Sequence, residues 1–194
     1  MRLLLLAFLI LHLSACKDAK TTDAIVYNAG YKEIRIFDTS RLFKPDADSL
    51  NPFYYRPIDI DIWYPASVSP ADSPLIFKRI VGLLEKRANE YTGSSIASGI
   101  TGQIVQSYCE MLNCSDSVKV LSRTTKSYKN ASAVDGKFPL IVYLCSYNGM
   151  SFENYSLFEQ LASRGYVVAS VTSVGRYPGD MTMKYADLSE QVKD

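Results

Sequence analysis

The sequence predicts an α/β fold, on three observations. A strand–helix–strand unit stands near the C-terminal end, two strands of alternating polarity precede it, and a stretch of helical spacing separates them. Strand, helix and strand within about 35 residues form a βαβ unit, which requires a parallel sheet and a right-handed crossover. With 194 residues the chain is long enough for one domain, and its 47% hydrophobic and 21% charged residues are ordinary for a folded protein. The 14 tyrosines suit strand packing and amphipathic surface.

The first element is a leader. One positive charge, Arg2, precedes an apolar run from Leu3 to Leu13 that only His12 interrupts. The run is too short to span a bilayer as a helix and reads as a signal peptide over residues 1–15. Removing Arg2 with it leaves 20 basic against 20 acidic residues. That balance gives no electrostatic reason to bind nucleic acid. Residues 17–24 are small and polar, and with Cys16 they form a tether over 16–24 that leads into a domain over 25–194.

From Ile25 to Asp38, Ile34 and Ile36 alternate with Glu33 and Arg35, the pattern of a half-buried strand or strand pair. Thr39 to Tyr55, rich in Asp, Pro, Ser and Asn, reads as loop. Arg56 to Pro65 alternates cleanly, with Ile58, Ile60, Ile62 and Tyr64 on one face and Asp59, Asp61 and Trp63 on the other. Two carboxylates at i and i+2 can hold a cation or serve as an acid/base pair. The expectation here is the plainer one, the solvated face of an edge strand that resists aggregation.

Residues 67–130 form a helical insertion or lid. Asp72-Ser73-Pro74 caps a helix carrying Leu75, Ile76, Ile80, Leu83 and Leu84. A second helix spans Ser94 to Leu112, with Ile96, Ile100, Ile104, Tyr108 and Leu112 at i, i+4 steps and Gly99 and Gly102 weakening it. A short strand is expected near Val118 to Leu121. Phe138 to Cys145 is a continuous apolar run, the mark of a central strand buried on both faces. Ser146 to Ser151 is a turn, Phe152 to Arg164 an amphipathic helix stopped by Gly165, and Tyr166 to Thr172 a second buried strand. Lys184 to Lys193 begins another helix.

Cysteine and histidine usage narrows the chemistry. Cys109 and Cys114 stand at i and i+5, on poorly matched faces of a continuous helix, so a disulfide between them requires that the helix end near Leu112. Both the paired and the unpaired state remain open. A zinc site would need further ligands, and the only histidine, His12, lies in the leader. No metal and no cofactor is expected. Residues 17–194 cannot assemble a Ser-His-Asp triad by themselves.

Two resemblances add to this reading. Leu13-Ser14-Ala15-Cys16 resembles the bacterial lipobox, which implies lipidation of Cys16, a membrane partner reached through that lipid, and a place in the bacterial cell envelope; a plain secretory leader is the alternative. Three blocks resemble the bacterial platelet-activating-factor acetylhydrolase and dienelactone-hydrolase-like branch of the α/β-hydrolases. They are Gly30 to Arg41, then Arg56-Pro57 with Ile62-Trp63-Tyr64-Pro65-Ala66, then Phe138 to Tyr143 with Leu161 to Val168. The third block is the most specific, and residues 67–130 match weakly.

That resemblance implies an incomplete α/β-hydrolase sheet, with antiparallel N-terminal strands followed by a parallel βαβ unit. It implies an ester substrate and places an oxyanion-hole donor on the backbone N–H of Tyr147, flanked by Ser146 and Asn148. The family's loop carries His-Gly where this chain has Cys145-Ser146, and the same turn can be a plain strand-to-helix connection. No Gly-x-Ser-x-Gly occurs: Gly149-Met150-Ser151 lacks the second glycine and Gly93-Ser94-Ser95 lies outside any strand. The expectation is therefore the N-terminal portion of a serine esterase, itself inactive and prone to self-association. A non-catalytic lipoprotein that uses the half-fold for binding or scaffolding is the competing expectation.

Overall fold

Alternating strands pair first with their sequence neighbours, and the architecture grows from that pairing. In the computed structural model, which describes residues 25–95, 97–181 and 184–194, strand β1 (Asn28–Leu42) lies antiparallel to β2 (Tyr55–Ser67), with Tyr31 opposite Trp63 and Arg35 opposite Asp59. The leader, Cys16, the tether and Ile96 lie outside the described residues. Short strands β3 (Ser127–Lys129) and β4 (Ser132–Ala133) join β1 and β2 respectively. Strands β5 (Leu140–Leu144) and β6 (Val167–Val171) pair in parallel, Val142 opposite Ala169, joined by helix α5 (Tyr155–Ser163). β6 then lies antiparallel to β2, giving the order β3–β1–β2–β6–β5 with β4 beside β2. The fold is α/β, with a mixed sheet.

Four helices fill the span between β2 and β3: α1 (Phe77–Val81), α2 (Leu83–Thr92), α3 (Ile100–Met111) and α4 (Ser117–Leu121). Gly82 breaks the first run and Gly93, at φ 63°, ends α2 in the left-handed conformation that glycine adopts without penalty. Asp116 caps α4 by accepting from the Lys119 N–H at 2.9 Å. Helix α6 (Tyr185–Lys193) closes the chain. None of the described helices is long and apolar enough to cross a membrane.

The core forms where α5 lies on the sheet. Phe158 and Ala162 pack against Trp63, Tyr31 and Val168, with the Trp63 ring centroid 4.9 Å from that of Tyr31 and 5.0 Å from that of Phe158. The indole N–H donates to Ser127 Oγ at 3.0 Å, and that hydroxyl donates to Glu159 at 2.7 Å, so these buried polar groups are matched to one another.

Several expectations are corrected. Asp59 and Asp61 are 2% and 0% exposed, on the buried face of a central strand rather than the wet face of an edge. The period-2 pattern separates the two faces but carries no information on which one the helices cover. The strand over Phe138 to Cys145 is at the edge of the described sheet instead of its centre, with Leu140, Val142 and Leu144 60%, 61% and 67% exposed. Val118 to Leu121 is helix, because the Asp116 cap starts one there. β1 runs to Leu42, into the stretch read as loop, and β2 extends past its bounding prolines to Tyr55 and Ser67. The helix expected from Ser94 starts only at Ile100, after Gly99 at φ 83°.

Candidate functional site

The site is built where β5 ends and the chain turns into α5. Ser146 to Gly149 make a tight turn in which the Gly149 N–H donates to the Ser146 carbonyl at 2.7 Å. Asn148 takes φ 56°, a left-handed conformation that Asn tolerates better than most residues. Gly149 is held by space: a Cβ there would stand 2.6 Å from Ser146 Oγ and against Glu153 Oε2.

Glu153 fixes the turn from below. Its carboxylate accepts the Ser146 N–H at 2.9 Å, the Ser146 hydroxyl at 2.8 Å and the Tyr143 hydroxyl at 2.7 Å. Burial pushes this carboxyl up, but the donors from Ser146 and Tyr143 outweigh it and hold it below the usual carboxylate range. Asn148 Oδ1 accepts the Met181 N–H at 2.7 Å and the Tyr147 hydroxyl donates to the Met181 carbonyl at 3.2 Å, tying the turn to the segment after β6. The backbone N–H groups of Tyr147 and Asn148 donate to no group among the described residues.

Ser146, Tyr147 and Asn148 all border one cleft of about 770 Å³. Its other walls come from the insertion, through Phe77, Val81, Leu84, Ile104 and Val105, and from Met150 and Phe152 on the loop. Cys109 and Cys114 lie on its rim, joined by a disulfide with Cα atoms 4.6 Å apart; α3 ends at Met111, between them. The helical insertion therefore forms one side of the cleft and the turn after β5 the other.

A second constellation lies beneath the sheet. Arg87 of α2 forms a two-pronged ion pair with Asp61, at 2.8 and 2.9 Å, and also donates to Ser151 Oγ at 3.0 Å and Thr172 Oγ1 at 3.2 Å. Arg35 pairs with Asp59 at 2.7 Å, while Tyr91 donates to Asp59 at 2.9 Å and Tyr31 to Asp61 at 2.7 Å. Burial, and then the Asp61 charge, raise the Tyr31 hydroxyl well above its ordinary value; burial and Asp59 raise that of Tyr91. For Arg87, burial works against the charge, yet Asp61 and Asp59 outweigh it and fix the guanidinium as a cation. Asp59 and Asp61 are therefore spent on internal cations and phenols and do not border the cleft. Ser151, fully buried and also bonded to Asp61, is no free nucleophile.

Sequence reasoning missed Glu153 and Arg87. The signal for Arg87 was its place in the series Leu83, Arg87, Tyr91, an i, i+4 row in which a cation interrupts an apolar stripe. Glu153 left no periodic signal. Chemically, Ser146 and Glu153 resemble a nucleophile and its base, but a carboxylate held below its usual range is a poor proton acceptor at neutral pH. Cys145, buried and bonded to Ser173, is raised by burial and stays a thiol. Among the described residues no cluster of His, Cys, Asp and Glu is placed to hold a metal.

No family model matches the chain, and no curated protein matches it. Among solved structures it is similar to a ferulic acid esterase from Streptomyces cinnamoneus, at 22% identity and a TM-score of 0.45 over 79% of this chain. The chain spans 34% of that esterase's length.

Proposed function

We propose that this chain supplies the substrate cleft and the oxyanion-side turn of an α/β-hydrolase-type esterase, attached to a bacterial membrane through lipid on Cys16. The observation that carries the reading is the pair of N–H groups, on Tyr147 and Asn148, that are unbonded among the described residues, at the end of a parallel strand and on the wall of a large apolar cleft. Backbone donors fixed at such a turn stabilise the negative oxygen of a tetrahedral intermediate without reorganising during the reaction. A serine nucleophile and a histidine base would have to come from outside residues 17–194, which hold no histidine. The test has two arms. The 194-residue chain should not turn over p-nitrophenyl esters above buffer, and the gene beyond codon 194 should encode, in frame, Gly-x-Ser-x-Gly followed by a histidine. Serine-type turnover by this chain, or a stop at that codon, defeats the proposal.

The missing histidine also favours a second reading, a binding module that kept the half-fold and its cleft without the chemistry; the stop codon is its expected result. Membrane attachment is tested separately. Cys16→Ser should move the protein from the membrane to the soluble fraction and abolish labelling by radioactive palmitate.

A further inference from the structure

The cleft is far larger than a small acyl group needs, and the charge beside its donors is negative. We propose that it selects an uncharged ester with a large apolar acid part and rejects the corresponding free carboxylate. This rests on the reading of Tyr147 and Asn148 as the donors that meet the ester carbonyl.

Size sets the apolar part. At roughly 30 Å³ per water-sized group, an acetyl fills a small corner of the cleft and an eight-carbon chain a substantial share. A longer acyl chain removes more of the apolar lining from water and is favoured in proportion to that area. Phe77, Val81, Leu84, Ile104, Val105 and Phe152 offer an apolar wall to a hydrocarbon body.

Charge sets the polar end. Among the described residues Glu153 is the only carboxylate on the wall, and its three donors, from Ser146 and Tyr143, hold it ionised against the turn that carries Tyr147 and Asn148. A resident carboxylate on those N–H groups would face that charge, whereas an ester carbonyl would not. The arrangement favours binding of the ester and departure of its acid. Arg123 is the one cation on the wall among the described residues, and its charge acts on Tyr155 against that of Glu159.

The experiment is calorimetric titration of the full chain at pH 7 and constant ionic strength with methyl octanoate, octanoate and methyl acetate. Methyl octanoate should bind at least tenfold more tightly than octanoate, and methyl acetate should show no saturable binding. Glu153→Gln should bring the ester-to-acid ratio within threefold, a ratio that a general loosening of the fold would leave unchanged. Leu84→Trp, which fills the cleft, should abolish binding of methyl octanoate. Octanoate binding as tightly as its ester would show that Arg123 governs the site and would overturn the proposal. So would equal binding of methyl acetate, or full binding to the Leu84→Trp variant. None of these readouts needs turnover, so loss of the esterase reading and loss of this preference are separate results.

Discussion

Asp61 and Arg87 meet with both carboxylate oxygens engaged and almost no solvent access. Removing one partner strands the other as a buried charge, which typically costs 3–5 kcal/mol. Asp61→Ala should therefore destabilise the chain by about 3 kcal/mol or more, and adding Arg87→Met should recover part of that loss, as read from urea unfolding. Glu153 makes a different statement, about pH. Its carboxyl is lowered in the folded chain, so its contribution is complete above the ordinary value of 4.5 and is lost as pH falls through the lower folded value. Tm measured from pH 6 down to pH 3 should fall less steeply for Glu153→Gln than for the parent in the acid limb. At this scale the sequence was half legible: the alternation of Asp59 and Asp61 with isoleucines was plain, but their partners lie 24 to 90 residues away.

At the scale of elements, the insertion is joined to the sheet in two chemically distinct ways. Helix α2 is fixed through Arg87 and Tyr91 to the carboxylates of β2, whereas α3 contributes apolar wall and is closed at its end by the disulfide. Cys109→Ser with Cys114→Ser should lower stability by about 2 kcal/mol, the low end for a native disulfide because the loop it closes is short. Thermal unfolding with and without reductant measures it: the parent should respond to dithiothreitol and the double variant should not. Some element ends were readable from local rules, since Gly165 at φ 88° ends α5 as a helix-stopping glycine should, whereas α1 begins at Phe77 without a cap from the Asp72-Ser73-Pro74 expected to start it. At Val118 to Leu121, where a short strand was expected, the Asp116 side chain caps a helix instead.

For the whole molecule, the sheet has one covered and one open face. On the open side Ile34, Ile36, Ile58, Ile60 and Ile62 run into Val142, Leu144 and Val171 across four strands, with Ile36 and the β5 residues most exposed. An apolar sheet face beside an unpaired edge strand is a template for association. Val142→Lys with Leu144→Lys should raise the monomeric fraction in size-exclusion chromatography and reduce binding of an apolar dye. Because both positions are exposed, Tm should change little.

What the sequence determined by itself is local and periodic. It set the two alternating strands, the βαβ unit, the helical run between them and the turn that carries Ser146, Tyr147 and Asn148, because propensity, capping and alternation act over a few residues. Tertiary structure decided which face of each strand is covered, where β5 stands in the sheet, that Arg87 answers Asp61, and that Glu153 braces the turn. Those outcomes depend on which distant groups meet once the sheet order is chosen, and no short-range pattern encodes that choice.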